Sequence, residues 1–321
     1  MSWTEVLGTG ALVPLLVATV RLAIPTMLAA VGECFCERSG VLNLGLEGMM
    51  LTGAVAAFLG SYYTGSPVVG AVSGAAAGAA LAAVFAMFVI RAKVDQVVAG
   101  ISLVLFAQGL TSFVYLKLFG SALEPPSVEG APPAALPLLS DIPVVGRVLF
   151  QQSLLVYGAV VLVAVLSWVL FRTRLGLSVR AVGESPQAGE AAGIAVDRVR
   201  WIALIVSGTM AGLGGAVLIS QLNFFRENVT AGRGWVAIAI VILVRWNPIG
   251  AVAGSLLFGF TDALQFRIQA TAGGVETGVP YEIFQAMPYI VTLVVVVLSR
   301  VYFKTSAEPH ALGVPYEKGA A

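Results

Sequence analysis

The chain has 321 residues, of which 58% are apolar and only 11% charged, against about 25% charged in an average soluble domain. So few charges cannot cover a soluble surface, so the chain reads as an integral membrane protein with room for about ten spans of about 20 residues. A net charge of +1 with no clustered basic face excludes nucleic acid as a partner.

The N-terminus Met1–Gly10 holds no basic residue and the first apolar run carries Arg21, which speaks against a cleaved signal peptide. Hydropathy then predicts span A over 11–32, B over 43–63, C over 67–90, D over 96–116 and E over 152–171. After a polar interval come F over 201–221, G over 229–246, H over 249–267 and I over 283–303. The spans are helical, because an open sheet edge cannot survive in lipid and the barrel-type alternation is missing. The fold class is therefore all-α, with about nine (8–10) transmembrane helices in a single transmembrane domain.

Basic residues orient it. Twelve Lys and Arg fall on the side of Arg91, Arg172, Arg180 and the C-terminus, and five on the other, with Arg21 inside span A. Cytoplasmic loops carry the excess, so the C-terminus is expected in the cytoplasm and, with nine spans, the N-terminus outside. The outer loop 119–150 contains six of the fifteen prolines, which makes it extended and semi-rigid, either a plain connector or a docking surface. The inner loop 172–200 holds five arginines and three acids, and a polar tail follows from 304 to 321.

Several chemistries drop out. Cys34 and Cys36 are two apart, about 200° around a helix, and read as small buried hydrophobes rather than a disulfide or metal pair. His310, the single histidine, lies in the tail, away from any intramembrane zinc or Ser-His site. No lysine closes a GxxxxGK[ST] loop, so ATP hydrolysis by that route is not in this chain and no cofactor is expected in it.

A short motif repeats. Gly70-Ala71-Val72-Ser73-Gly74 in C recurs as Gly250-Ala251-Val252-Ala253-Gly254 in H, and each is preceded by a close glycine pair, Gly45 and Gly48 or Gly232 and Gly234. Pairing A with F, B with G, C with H and D with I gives an odd offset and so an inverted repeat, about 11–116 against 201–303, of the kind transporters use for alternating access. Ala- and Gly-rich helices also produce such matches by coincidence. Gly70, Gly74 and Gly78 share one helix face, where small residues let backbones approach, so helix packing is their expected role, with Gly250 and Gly254 as mates.

Charges at membrane depth are costly, on the order of 2.5–3.5 kcal/mol at mid-helix, and each needs a reason. Arg21 is the deepest and calls for a carboxylate on a neighbouring helix. Asp262 and Arg267 are five apart and poorly aligned for pairing. Glu33 and Glu37, one turn apart, are expected at the cytoplasmic interface. The segment Glu37–Met50 interrupts a span with three glycines and polar residues, and its mate Asn228–Trp235 is equally broken. Broken backbone at that depth is tolerated only against protein or a water-filled cavity, and paired short segments point to a substrate path. Asn43, Glu47, Asn223 and Trp235 are the candidate path residues, supplying hydrogen bonds and a stacking face; capping and packing explain each of them equally well. In the inner loop, Ser185 suits an N-cap, Pro186 the first helical position and Gly193 the position after the last turn. The resulting helix, too short to stand alone, needs something to brace it, and a cytosolic partner fits.

Taken together, Glu37–Met50 with its Gly40-Val41-Leu42-Asn43-Leu44-Gly45-Leu46-Glu47-Gly48 run, Arg180-Ala181-Val182-Gly183-Glu184 followed by Ala191-Ala192-Gly193-Ile194, and Gly232-Arg233-Gly234-Trp235 with Asn247-Pro248 resemble the permease subunit of bacterial ABC importers. The likeness runs from about 15 to 303 and is nearest to the nucleoside and simple-sugar branch, related to ribose, galactose and branched-chain amino-acid permeases. Two positions depart: Ser185 stands where relatives often have Asn, and Trp235 where Phe is common.

The resemblance implies a cytoplasmic-membrane complex. A second permease, identical or homologous, pairs with this chain, a cytosolic ATPase carries ATP and Mg, an extracytoplasmic solute-binding protein delivers substrate, and lipid surrounds the spans. The ATPase is then expected to grip Arg180, Gly183, Glu184, Ser185, Ala188, Ala191 and Gly193. The expected solute is a nucleoside, with Asn43 bonding hydroxyls and Trp235 stacking the base. No basic cluster is expected on the path, so a phosphate is rejected. A simple sugar is the alternative, and a stand-alone ion-coupled carrier using Glu47 or Asp262 the rival from another class; a membrane hydrolase lacks a nucleophile–base pair.

Overall fold

The structure is a computed structural model describing residues 9–120, 126–135, 137, 139–272, 286, 290–291, 293–294, 297 and 307–317. Predicted span I, 283–303, falls largely outside them, as do Pro125, Arg300, Lys304 and Lys318.

The described residues are mostly helical. The chain builds α1 (Thr9–Glu37), α2 (Leu46–Thr64), α3 (Pro67–Ala86), which continues through a π-helical turn at Met87–Arg91, and α4 (Gln96–Phe119). A short antiparallel pair follows, β1 (Pro133–Ala135) on β2 (Gln151–Ser153), with α5 (Val145–Leu149) between them. Then come α6 (Leu154–Arg172), α7 (Arg174–Glu184), α8 (Pro186–Ala191), α9 (Val196–Leu222), α10 (Arg233–Leu243) and α11 (Pro248–Ala272). Among the described residues six helices are long and apolar enough to cross a membrane: α1, α3 with its π turn, α4, α6, α9 and α11.

Local chemistry sets several ends. The Ser66 side chain accepts from Val69 N and Pro67 occupies the first turn of α3. Asp95 Oδ1 accepts from Val97 and Val98 N at 2.9 Å each to start α4. Asn223, at φ +66°, stops α9.

Because lipid is as apolar as the core, polarity does not sort one helix face from another; side-chain size does. Large residues on α3, α4 and α6, such as Phe88, Phe106 and Trp168, are exposed, whereas α2 and α9 are largely buried. Where α2, α3 and α9 cross, glycines meet: a Cβ on Gly53 would lie 2.3 Å from Gly212 Cα, and one on Gly78 would lie 2.2 Å from Gly208 O. Gly70 and Gly74 continue that contact against Ser61 and Gly53, while Gly250 and Gly254 on α11 face Ile240 of α10 and Val244 just after it.

Two faces result. Residues 307–317 lie with α7, α8 and the start of α9 on what is termed the C-terminal face, since Arg200 Nη1 donates to Val314 O at 3.1 Å. Glu33 meets Ser207 near that face, and Arg21 meets Gln221 toward the other, so α1 and α9 run antiparallel. The opposite face carries α5, the β pair and the loop after α9. There Val128 N donates to Asn223 O at 2.8 Å and Ala131 N to Ser220 Oγ at 2.9 Å, tying the proline-rich loop to the end of α9.

Candidate functional site

The two broken segments meet. Glu47, in the first turn of α2, turns its carboxylate to the start of α10. Oε1 accepts from Thr230 Oγ1 at 2.5 Å and from Gly232 N at 2.9 Å, and Oε2 accepts from Gly234 N at 2.6 Å. An α-helix leaves its first N–H groups without partners and carries partial positive charge there, so a carboxylate is the natural cap. Gly232 reaches this geometry at φ +81°. Gly234 is required by proximity, because a Cβ there would sit 2.6 Å from Glu47 Cα.

The other end of α10 is held from the same segment. Arg38 Nε donates to Trp246 O at 3.1 Å and its Nη2 to Arg245 O at 3.4 Å. Arg245 and Trp246 sit at φ +59° and +56°, a region that bulky residues avoid unless their surroundings fix them. Here the surroundings do: Arg38 takes both carbonyls, and the Trp246 indole N–H donates to Glu37 Oε2. An anion at the N-terminus and a cation at the C-terminus thus clamp an eleven-residue helix in the sense its dipole favours.

Asn43 lies between these anchors and is fully buried. Its backbone N–H donates to Glu33 Oε1 at 3.1 Å, its amide donates to Ser207 Oγ at 3.1 Å, and its Oδ1 accepts from Gly45 N at 3.1 Å. Ser207 Oγ in turn donates to Glu33 Oε2 at 2.7 Å. Glu33 and Glu37 are both buried among helices. The reason is tertiary: the turn at 38–45 folds back over them.

Open space lies elsewhere. A cavity of about 1070 Å³ is bounded by α1, α9 and α11 on the opposite face. It is lined by Arg21, Arg147, Arg226, Arg233, Asp262 and Gln265, with apolar walls such as Val17 and Phe258. Arg233 Nη2 pairs with Asp262 Oδ2 at 2.8 Å, so Asp262 bridges to α10 rather than to Arg267. Arg21 Nε donates not to a carboxylate but to Gln152 Oε1, at 3.2 Å. Basic side chains gather around this cavity. Four arginines converge here from α1, α5, the loop after α9 and α10, so no single stretch of sequence reveals them.

Of the expected path residues, none lines this cavity. Asn43 and Glu47 are buried, Asn223 lines a smaller space of about 230 Å³ beside it, and Trp235 is 39% exposed on the first turn of α10. Asn43 and Glu47 instead fix the broken segments that flank the cavity's floor at Arg233.

On the C-terminal face, α8 forms as its residues predict. Ser185 Oγ accepts from Ala188 N at 3.3 Å and Pro186 opens the first turn. Gly193 follows the last turn at φ +82°. Ala188 and Ala191 are exposed, with Glu184 and Gly193 beside them. Gly183 is packed so closely that a Cβ would meet Arg38 O at 2.1 Å. Arg180 stacks over Phe171, 5.6 Å from the ring centroid.

Residues 307–317 strap this assembly together, which no sequence signal announced. Ala311 N donates to Gly183 O at 2.9 Å and Gly313 N to Gly40 O at 3.1 Å. Arg200 Nε reaches Ser39 O at 3.3 Å, and His310 Nδ1 lies 3.2 Å from Glu184 Oε2. The Tyr316 hydroxyl donates to Glu190 of α8, and that carboxylate pushes the phenol up to about 12.

Comparison with known proteins now gives the family. The family model described as branched-chain amino acid transport system, permease component, matches residues 15–298. A Haloferax volcanii protein provisionally named a glucose ABC transporter permease is 37% identical, covering 95% of this chain and 97% of its own. The guanosine ABC transporter permease of Bacillus subtilis is 34% identical, covering 94% and 96%, and the nucleoside ABC transporter permease of Lactococcus lactis is 34% identical, covering 92% and 93%. With six apolar helices, a clamped broken segment and a family match over most of its length, the chain belongs to the branched-chain amino acid transport permease family and is a multi-pass membrane subunit of an ABC transporter, not an enzyme.

Proposed function

We propose that this chain translocates nucleosides across the cytoplasmic membrane as one permease of an ATP-driven importer. The observation that carries the reading is similarity, over more than nine-tenths of the chain, to permeases named for guanosine and for nucleosides. A cavity of about 1070 Å³ with apolar walls and convergent polar groups is large enough for such a solute.

In this reading the C-terminal face is cytoplasmic, in keeping with its arginine excess. The exposed side of α8 docks the ATPase, which supplies ATP and Mg, and the cavity faces the solute-binding protein. A second permease covers part of the apolar surface of α3, α4 or α6. The fold is read as nine spans in two inverted halves, about 11–116 and 201–303, with α2 buried at the centre. The support is that α2 and α10, mates in that scheme, meet at their N-termini. Asn43 and Glu47 then hold the path open by fixing its broken segments, while Asn223 and Trp235 border it.

Reconstitution with the partner ATPase and binding protein, followed by uptake of labelled nucleosides and glucose, tests the reading. Nucleoside uptake well above glucose is expected. Glucose uptake unaffected by excess nucleoside selects the sugar reading, which the Haloferax relative favours.

A further inference from the structure

We infer that the cavity between α1, α9 and α11 is itself a solute site, selective for nucleosides whose base presents ring carbonyls (guanosine, inosine and uridine) over adenosine. The inference rests on the nucleoside reading above and adds to it where the solute binds and which bases are preferred.

Donors and acceptors are unequal in this cavity. Among the described residues lining the cavity, the charged groups are four arginines and one acid, Asp262. Asp262 is engaged by Arg233 at 2.8 Å, so it offers little to a ligand. Arg21 uses Nε on Gln152 and keeps its two terminal nitrogens, while Arg147 of α5 and Arg226 of the loop after α9 are exposed. A guanidinium has five N–H donors and no acceptor. The cavity therefore presents an excess of donors, and its complement is a ligand rich in acceptors.

Base edges differ in just this respect. The major-groove edge of guanine or hypoxanthine places O6 beside N7, two acceptors at the spacing of a guanidinium fork, whereas adenine replaces O6 with an amino donor. Uracil offers two carbonyls. Sugar hydroxyls accept and donate alike and gain less from a donor-rich wall. Phe258 and Val17 give the same cavity an apolar surface for a flat ring. Arginines also suit a phosphate, so an anion is the outcome to be distinguished.

The full chain in lipid nanodiscs, without a binding protein to impose its own selectivity, is titrated with tritiated inosine. Guanosine, inosine and uridine are expected to displace the label at about tenfold lower concentration than adenosine, the discrimination typical of one good bidentate pair. Arg226→Gln and, independently, Arg147→Gln should each cut that preference to about twofold at unchanged insertion. Equal displacement by adenosine in the wild type, or a preference untouched in both variants, overturns the inference and leaves nucleoside transport standing. So does inosine monophosphate displacing the label better than inosine, which makes the cavity an anion site, and so does no saturable binding. Displacement by glucose in preference to every nucleoside removes the nucleoside reading itself.

Discussion

Glu47 and Gly234 stand 187 positions apart and are joined by a 2.6 Å hydrogen bond from the Gly234 amide to the Glu47 carboxylate. That bond, with those from Thr230 and Gly232, makes the turn before α2 and the start of α10 one mechanical unit. Arg38, at the other end of the same turn, closes the unit on the C-terminus of α10. A displacement of residues 38–47 must therefore carry α10 with it or break charge-assisted bonds.

Replacing Glu47 tests that unit. Glu47→Gln keeps one acceptor oxygen but turns an amide N–H₂ toward backbone donors, and should cost about 1–3 kcal/mol. Glu47→Ala strands the Thr230 hydroxyl and two helix N–H groups in a buried site, and should cost about 3–5 kcal/mol. Thermal unfolding in detergent measures both. Equal, negligible losses would show that α10 is held by packing alone.

Accessibility separates holding a path from lining it. A cysteine at Asn43 should stay inert to a small polar thiol reagent, since the position is fully buried, whereas cysteines at Arg226 and Trp235 should react. The native thiols of Cys34 and Cys36 are buried and contribute little background. Solute protection at Arg226 but not at Trp235 is expected, because only Arg226 lines the large cavity. Rapid labelling at Asn43 would place solvent where the structure has packed side chains.

The exposed alanines of α8 are the expected grip of the ATPase. Ala188→Asp with Ala191→Asp adds two charges to a docking surface without touching the helix cap at Ser185. Substrate-stimulated ATP hydrolysis should fall at least tenfold while insertion is unchanged, consistent with desolvating unpaired charge at an interface. Full stimulation in this variant would move the docking site away from α8.

The C-terminal strap links α8 to the turn before α2. Deleting residues 307–321 should uncouple ATP hydrolysis from uptake, and Tyr316→Phe, which removes only the Glu190 contact, should do so in part. The Tyr316 phenol is raised from 10.0 to about 12, so its contact is fully present below about pH 10 and is lost as pH rises through about 12. The ratio of solute moved to ATP consumed should therefore show no inflection from this group between pH 6 and 9. Coupling that survives both variants would reduce the strap to a passive cover.

Much of this protein is legible in its residues taken in order. The scarcity of charge makes it a membrane protein, the hydropathy runs locate α1, α3, α4, α6, α9 and α11 to within a few residues, and Ser185, Pro186 and Gly193 fix α8, because each of these depends on composition or on neighbours within one helical turn. The broken segments at 38–47 and 228–235 are visible for the same reason. What they do is not, since Glu47 finds its donors, and Arg38 its carbonyls, only when α10 lies across them. The arginine-lined cavity is hidden more thoroughly: Arg21, Arg147, Arg226 and Arg233 each look like a lone basic residue. Only the antiparallel packing of α1 on α9, with α11 beside them, brings them to one wall. Long-range pairing of charges is a property of the assembled helices, and no local propensity encodes it.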